Sequence, residues 1–259
     1  MRSILCPADH SPTSDCRVET ALALARATNG HVSLQIAAPI AQIASWEPFG
    51  GAAISAAAIM QARDADDALA AGLEARLASQ DVPFNVAVAN YGRIEALASE
   101  SRLADVIVMS IADPALEETA LIVRCPVLAV PGSRPFSDFA APIVAAWDGS
   151  AQAANALRAA LPLLRLASAV HVVTVREKQS DFPPTDALCY LSRHGIHAEL
   201  HDLAPAGTIS QTIAATARGL GAGLIVMGIY GHSRLRELLL GGVSRDLLKN
   251  SEVPLLLAH

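Results

Sequence analysis

One order of segments runs twice along these 259 residues, and that recurrence limits the possible folds more than any single motif does. Short β-branched runs alternate with long alanine- and leucine-rich amphipathic stretches, the pattern of parallel strands joined by crossover helices. The first pass opens with a strand at 3–7, then Asp9 and a helix near 15–28. The second opens with a strand at 142–146, then Asp148, Gly149 and Ser150 and a helix to about Leu166. Second strands follow at 31–36 and 171–175, third strands at 84–89 and 196–202, and helices at 93–102 and 208–218. Fourth strands at 105–110 and 224–228 nearly match in sequence, Val106-Ile107-Val108-Met109 against Leu224-Ile225-Val226-Met227. Fifth strands, 126–130 and 254–258, each follow a helix.

The pattern predicts an α/β protein of two tandem parallel-sheet, Rossmann-like domains. The expected division is 1–132, a linker at 133–141, and 142–259, because Pro131, Gly132, Ser133, Pro135 and Ser137 suit a surface connection. Residues 39–53, with Trp46, Pro48, Phe49, Gly50 and Gly51, read as a loop over the sheet edge or over the other half.

Composition removes several function classes. A net charge of −6 with scattered lysines and arginines leaves no footprint for nucleic-acid phosphates. The mean hydropathy of +0.37 is spread along the chain, with no apolar run near the ~20 residues that cross a bilayer. Met1 runs into the first strand without a secretory signal, so a cytoplasmic location is expected. Cys6, Cys16, Cys125 and Cys189 share no C-x-x-C spacing and read as packed, mostly buried thiols.

The chemistry concentrates after the fourth strand of the second half. There Gly228-Ile229-Tyr230-Gly231 is followed by nine residues and then Gly241-Gly242-Val243-Ser244. Glycine lets backbone amides approach a ligand, and a helix starting near Val243 offers free N–H groups and a positive dipole end to phosphate. The first half is a control within the chain: Ser110-Ile111-Ala112-Asp113-Pro114 keeps no glycine pair, and Asp113, Glu117 and Glu118 would repel a triphosphate. That half reads as structural, or as holding a different ligand.

Here the chain resembles the universal stress protein family, whose nucleotide-binding members carry G-x2-G-x9-G-[S/T]. Gly228, Gly231 and Gly241 match the spacing, while Gly242 stands where the family has Ser or Thr. The resemblance covers both halves, as in tandem-type members. It implies adenine nucleotide alpha hydrolase-like domains about a pseudo-twofold axis, with the fifth strands meeting across it. It also implies ATP or AMP, with Mg, in the second half. Asp148 would face the adenine or ribose end and Val175 the adenine pocket. Met227, Gly228, Tyr230 and Gly231 would run along ribose and phosphates, with Gly241, Gly242, Val243 and Ser244 at the phosphate tail. Ala146 stands where ATP-binding members often have proline.

The resemblance implies a stress-response sensor or regulator with at most slow ATP hydrolysis. The alternatives are an interaction scaffold without nucleotide, and a binder of another nucleotide-linked or acyl ligand. A homodimer and a protein partner are compatible with the family. Asp9, Asp148 and the serines after them come with no base or activated nucleophile, and the P-loop, G-x-S-x-G and H-E-x-x-H patterns are absent. Asp9 reads as a helix N-terminal residue. Gly219 to Gly223 precede a strand where a dinucleotide loop must follow one, so they read as a helix C-terminal turn. No metal centre is predicted; His197 and His201, with Glu199 between them and His194 nearby, come nearest to one. Arg234, Arg236 and Arg245 surround the glycine loop and read either as phosphate partners or as a solvated face.

Overall fold

The computed structural model describes residues 1–37, 52–89, 92–175, 182–229 and 242–259. The first half comprises β1 (Ser3–Pro7), α1 (Ser14–Thr28), β2 (His31–Ala37), α2 (Ala52–Leu77), β3 (Phe84–Ala89), α3 (Arg93–Glu100), β4 (Val106–Ser110), α4 (Leu116–Ile122) and β5 (Val127–Val130). The second comprises β6 (Ile143–Ala146), α5 (Ala151–Leu164), β7 (Val170–Val175), α6 (Pro184–Arg193), β8 (Ala198–Leu203), α7 (Ile209–Gly219), β9 (Leu224–Gly228), α8 (Gly242–Asn250) and β10 (Leu255–Ala258).

These ten strands form one sheet in the order β3-β2-β1-β4-β5-β10-β9-β6-β7-β8. Each half has the order 3-2-1-4-5 with parallel pairing. The halves join where β5 and β10 run antiparallel, Leu128 opposite Leu256. Both leucines are fully buried, and burial of such a side chain contributes roughly 1.5–3 kcal/mol. The seam also leaves neither fifth strand as an open edge. This is the expected tandem α/β fold with fifth strands meeting across the pseudo-twofold.

The central strands are apolar at nearly every position because both faces are covered. Alternate residues divide the core in two. Ile4, Cys6, Val106, Val108 and Leu128 pack with α1, α2, α5 and α6 on one face. Leu5, Ile107, Met109, Ala129 and Met227 pack with α3, α4, α7 and α8 on the other.

Local chemistry sets the helix ends. The Ser150 hydroxyl accepts the Ala153 amide at 3.1 Å to start α5, and Thr208 with Gln211 closes a capping box on α7. The glycine run after α7 is the helix-ending turn expected: Gly221 has φ +63°, and Ala222 N–H reaches the Ala217 carbonyl at 2.9 Å.

Residues 52 and 53 open α2, so the helix claims the end of the expected loop; 39–51 lie outside the described residues. The third strand of the second half begins at Ala198, two residues late, because the Ile196 amide closes the end of α6 onto the Leu191 carbonyl at 3.0 Å. The segment joining the halves is fastened down: Phe136 donates its amide to Thr20 Oγ1 at 2.9 Å, and its ring meets Phe139 edge-on. No helix among the described residues is long and apolar enough to cross a membrane. The four cysteines are unpaired thiols. Burial pushes Cys6 and Cys125 up to about 12, while Cys189 is exposed, unlike the packed thiol expected.

Candidate functional site

In each half the strand order reverses beside the first strand, between β1 and β4 and between β6 and β9. Such a switch point opens a crevice at the carboxyl ends of the strands, where doubly wound sheets take ligands. In the second half Ala146 ends β6, Val175 ends β7, and Met227 and Gly228 end β9. Ala146, Val175 and Met227 belong to the same face of the sheet, with Val243 of α8 packed there too. Because β9 and β10 are parallel, the crossover helix α8 begins at this carboxyl edge. Tyr230, Gly231 and Gly241 lie outside the described residues, as do Arg234 and Arg236.

Asp148 stands exposed beyond β6, where its carboxylate accepts the Ser150 amide at 2.9 Å across Gly149, whose φ is +78°. Gly228 is tightly enclosed. A Cβ there would come within 2.5 Å of the Ala153 nitrogen and the Gln152 carbonyl carbon, so the close passage of the α5 start requires glycine. Gly242 is the opposite case: it is exposed, and a Cβ would meet nothing within 4 Å. Ser244 is buried, Val243 partly so. Arg245 lies 3.9 Å from Glu117 of α4 in the other half.

The first half carries the same frame with different occupants. Asp9 accepts the Ser11 amide at 2.9 Å, as Asp148 does with Ser150. It does not cap α1, whose N-cap is Thr13. Instead Arg17 Nη2 lies 2.6 Å from the Asp9 carboxylate, and Arg93 Nη1 donates to it at 2.7 Å. Arg93 also donates to Asp113, and Arg17 Nε to the Pro7 carbonyl at 2.7 Å. Burial pushes the Asp9 carboxyl up, but hydrogen bonds at Ser11 and the Arg17 charge prevail and bring it to about 2. Asp113 is thus neutralised by Arg93, and its charge does not stand open toward a ligand as the sequence alone implied. Arg17 is the fourth residue of α1 and Arg93 the first of α3; the same places in α5 and α7 hold Ala154 and Ile209.

Of the histidine candidates, Glu199 and His201 do meet in a cluster, but with His171 in place of His197. His171 of β7 meets Glu199 and His201 of β8, and the three ligand atoms lie within 4.8 Å of one another. His197 precedes β8 and is not part of it. Burial, then the neighbouring His201, lowers the pKa of His171 against the opposing pull of Glu199. Its signal was present in the register: β7 lies beside β8, which sets His171 opposite Glu199.

Residues 141–259 match the family model of the universal stress protein family. The second half of this chain is a universal stress protein domain. A universal stress protein from Archaeoglobus fulgidus superposes on 98% of this chain and 97% of its own, with a TM-score of 0.71 at 18% identity. A functionally unknown protein from Pseudomonas aeruginosa PAO1 covers 100% of this chain and 92% of its own, with a TM-score of 0.63 at 19% identity. Both likenesses concern the fold, and they span the two halves of the chain. No curated protein sequence matches the chain. Beside this architecture, one surface cleft, lined by Arg102, Arg124, Arg158 and Cys125, lies at the opposite, amino edge of the sheet.

Proposed function

We propose that the second half binds an adenine nucleotide, ATP or AMP, at its carboxyl edge, and that the protein acts as a stress-response sensor or regulator in the cytoplasm. The observation that carries this reading is the contrast at the switch points. Where the first half sets Arg17 and Arg93 into its crevice, the second has Ala154 and Ile209, which bring no charge and no long side chain. The start of α8 arrives at the same edge, and Gly242 leaves its surroundings open. Asp148 reaches toward the sugar hydroxyls, the α8 amides toward phosphate, and Mg accompanies ATP as its counter-ion. Among the described residues no nucleophile and base come together there, which suits binding without rapid turnover.

Calorimetric titration of the full chain with Mg-ATP and with AMP tests this. Saturable binding of one nucleotide per chain is expected, weakened about tenfold by Asp148→Ala, as for loss of a charged hydrogen bond. Gly242→Ser restores the family's hydroxyl in open space and is expected to tighten binding several-fold, on the order of one hydrogen bond. Arg93→Ala, in the other half, should leave binding unchanged. No binding at millimolar nucleotide would turn the reading toward an interaction scaffold.

A further inference from the structure

At the far edge of the sheet, β7 and β8 bring three side chains onto one face. Register sets His171 opposite Glu199 and Val173 opposite His201, and the period of two places His171, Glu199 and His201 on the same side. His171 Nδ1 is 3.1 Å from His201 Nε2 and 3.5 Å from Glu199 Oε2. His201 Nε2 is 3.9 Å from that same oxygen. Zinc bonds of about 2.0–2.2 Å to imidazole nitrogen and carboxylate oxygen, in tetrahedral arrangement, hold donor atoms roughly 3.3–3.5 Å apart. The three observed separations straddle that edge length.

We propose that His171 Nδ1, His201 Nε2 and a Glu199 carboxylate oxygen bind a divalent transition metal, zinc foremost, as a three-ligand site on the outer edge of the second half. Imidazole with one carboxylate suits zinc, and it disfavours magnesium and calcium, which take oxygen sets. Exposure is graded in the way such a site needs. The His171 side chain is 9% exposed and anchors one ligand, while Glu199 at 76% and His201 at 26% face solvent. Metal can enter from water, and water can complete the fourth position.

The first half again serves as the control. By strand register the matching residues of β2 and β3 are Ser33, Asn85 and Ala87. There the Ser33 hydroxyl donates to Asn85 Oδ1 at 2.8 Å, and two neutral groups satisfy each other without an ion. The fold therefore does not require two histidines and a carboxylate at this edge. Two imidazole nitrogens in contact can share one proton, but two protons there repel; a metal satisfies both lone pairs and the carboxylate together.

The test is titration of the metal-free full chain with zinc alone, and with cobalt(II) as a spectroscopic stand-in, in the absence of nucleotide. One equivalent is expected to bind, with cobalt absorption typical of nitrogen and oxygen ligands. His201→Asn should weaken binding on the order of a hundredfold, the loss of one of three ligands. Glu199→Gln removes an exposed carboxylate that no packing depends on, and it should weaken binding in the same direction with circular dichroism unchanged. His197→Asn should bind as the parent does. Absence of binding at about 0.1 mM zinc, a dissociation constant too weak for a resident metal, would overturn the proposal. So would parental affinity in Glu199→Gln, loss in His197→Asn, or a sulfur-to-cobalt charge-transfer band placing the ion on Cys189.

Discussion

Asp9 and Asp148 hold the same turn at the same place in the two halves, each accepting a serine amide at 2.9 Å. From there the halves diverge. Asp9 continues into Arg17 and Arg93, and Arg93 into Asp113, so two cations and two anions cancel within the crevice. The second half has Ala154 and Ile209 at the arginine positions and Gly228 at the strand end where the first half has a buried Ser110. The comparison teaches that a switch point need not be a ligand site. The polar groups that collect at strand ends can be satisfied by the protein's own side chains, and then the frame persists without the opening.

The largest way to break this comparison is Arg17→Ala. Arg17 is almost fully buried, and its removal takes the donor from the Pro7 carbonyl and leaves the Asp9 carboxylate to Arg93 and the Ser11 amide alone. A loss of about 3 kcal/mol is expected in urea unfolding, the lower end of the cost of breaking a buried ion pair from one side, because Arg93 still faces Asp9; a near-neutral result would mean the network is not what holds that crevice. Next is Gly228→Ser, which puts the first half's residue into the second. Its Cβ would strike backbone of α5 at 2.5 Å, so a loss of about 3 kcal/mol, the upper end for overpacking, is expected. The smallest effect concerns acid. Asp9 has a folded pKa of about 2 against an ordinary 3.8, so its contribution is fully present above about pH 4 and lost as pH falls toward 2. That loss amounts to something on the order of 2 kcal/mol. Asp9→Asn should flatten this part of the pH–stability curve, and an unchanged acid limb would assign the acid sensitivity to other carboxylates.

The doubled fold was legible because buried parallel strands write themselves as apolar runs, and Val106 to Met109 and Leu224 to Met227 repeat almost residue for residue. The turn after α7 was legible for the same local reason, since only glycine suits the φ of +63° at Gly221. What the sequence hid is long-range pairing. Arg93 and Asp9 are 84 positions apart, His171 and His201 are 30 apart, and no spacing rule links them. Asp9 was read as a helix-end residue because local capping is the commonest use of aspartate after a strand; two distant guanidinium groups claimed it instead. Gly228 suits a ligand's approach by its bare backbone, and the α5 backbone pressed against it adds a packing reason for glycine that the sequence does not reveal.

The antiparallel seam between β5 and β10 also lifts a restriction. Were this interface formed by two identical chains about a true twofold, every substitution would appear on both sides at once. Here Leu128 faces Leu256, but the two residues occupy separate positions in one sequence. Each side of the molecule can therefore change alone. The shared joint is kept, while one crevice closes on its own arginines and the other, across the axis, carries none at those places.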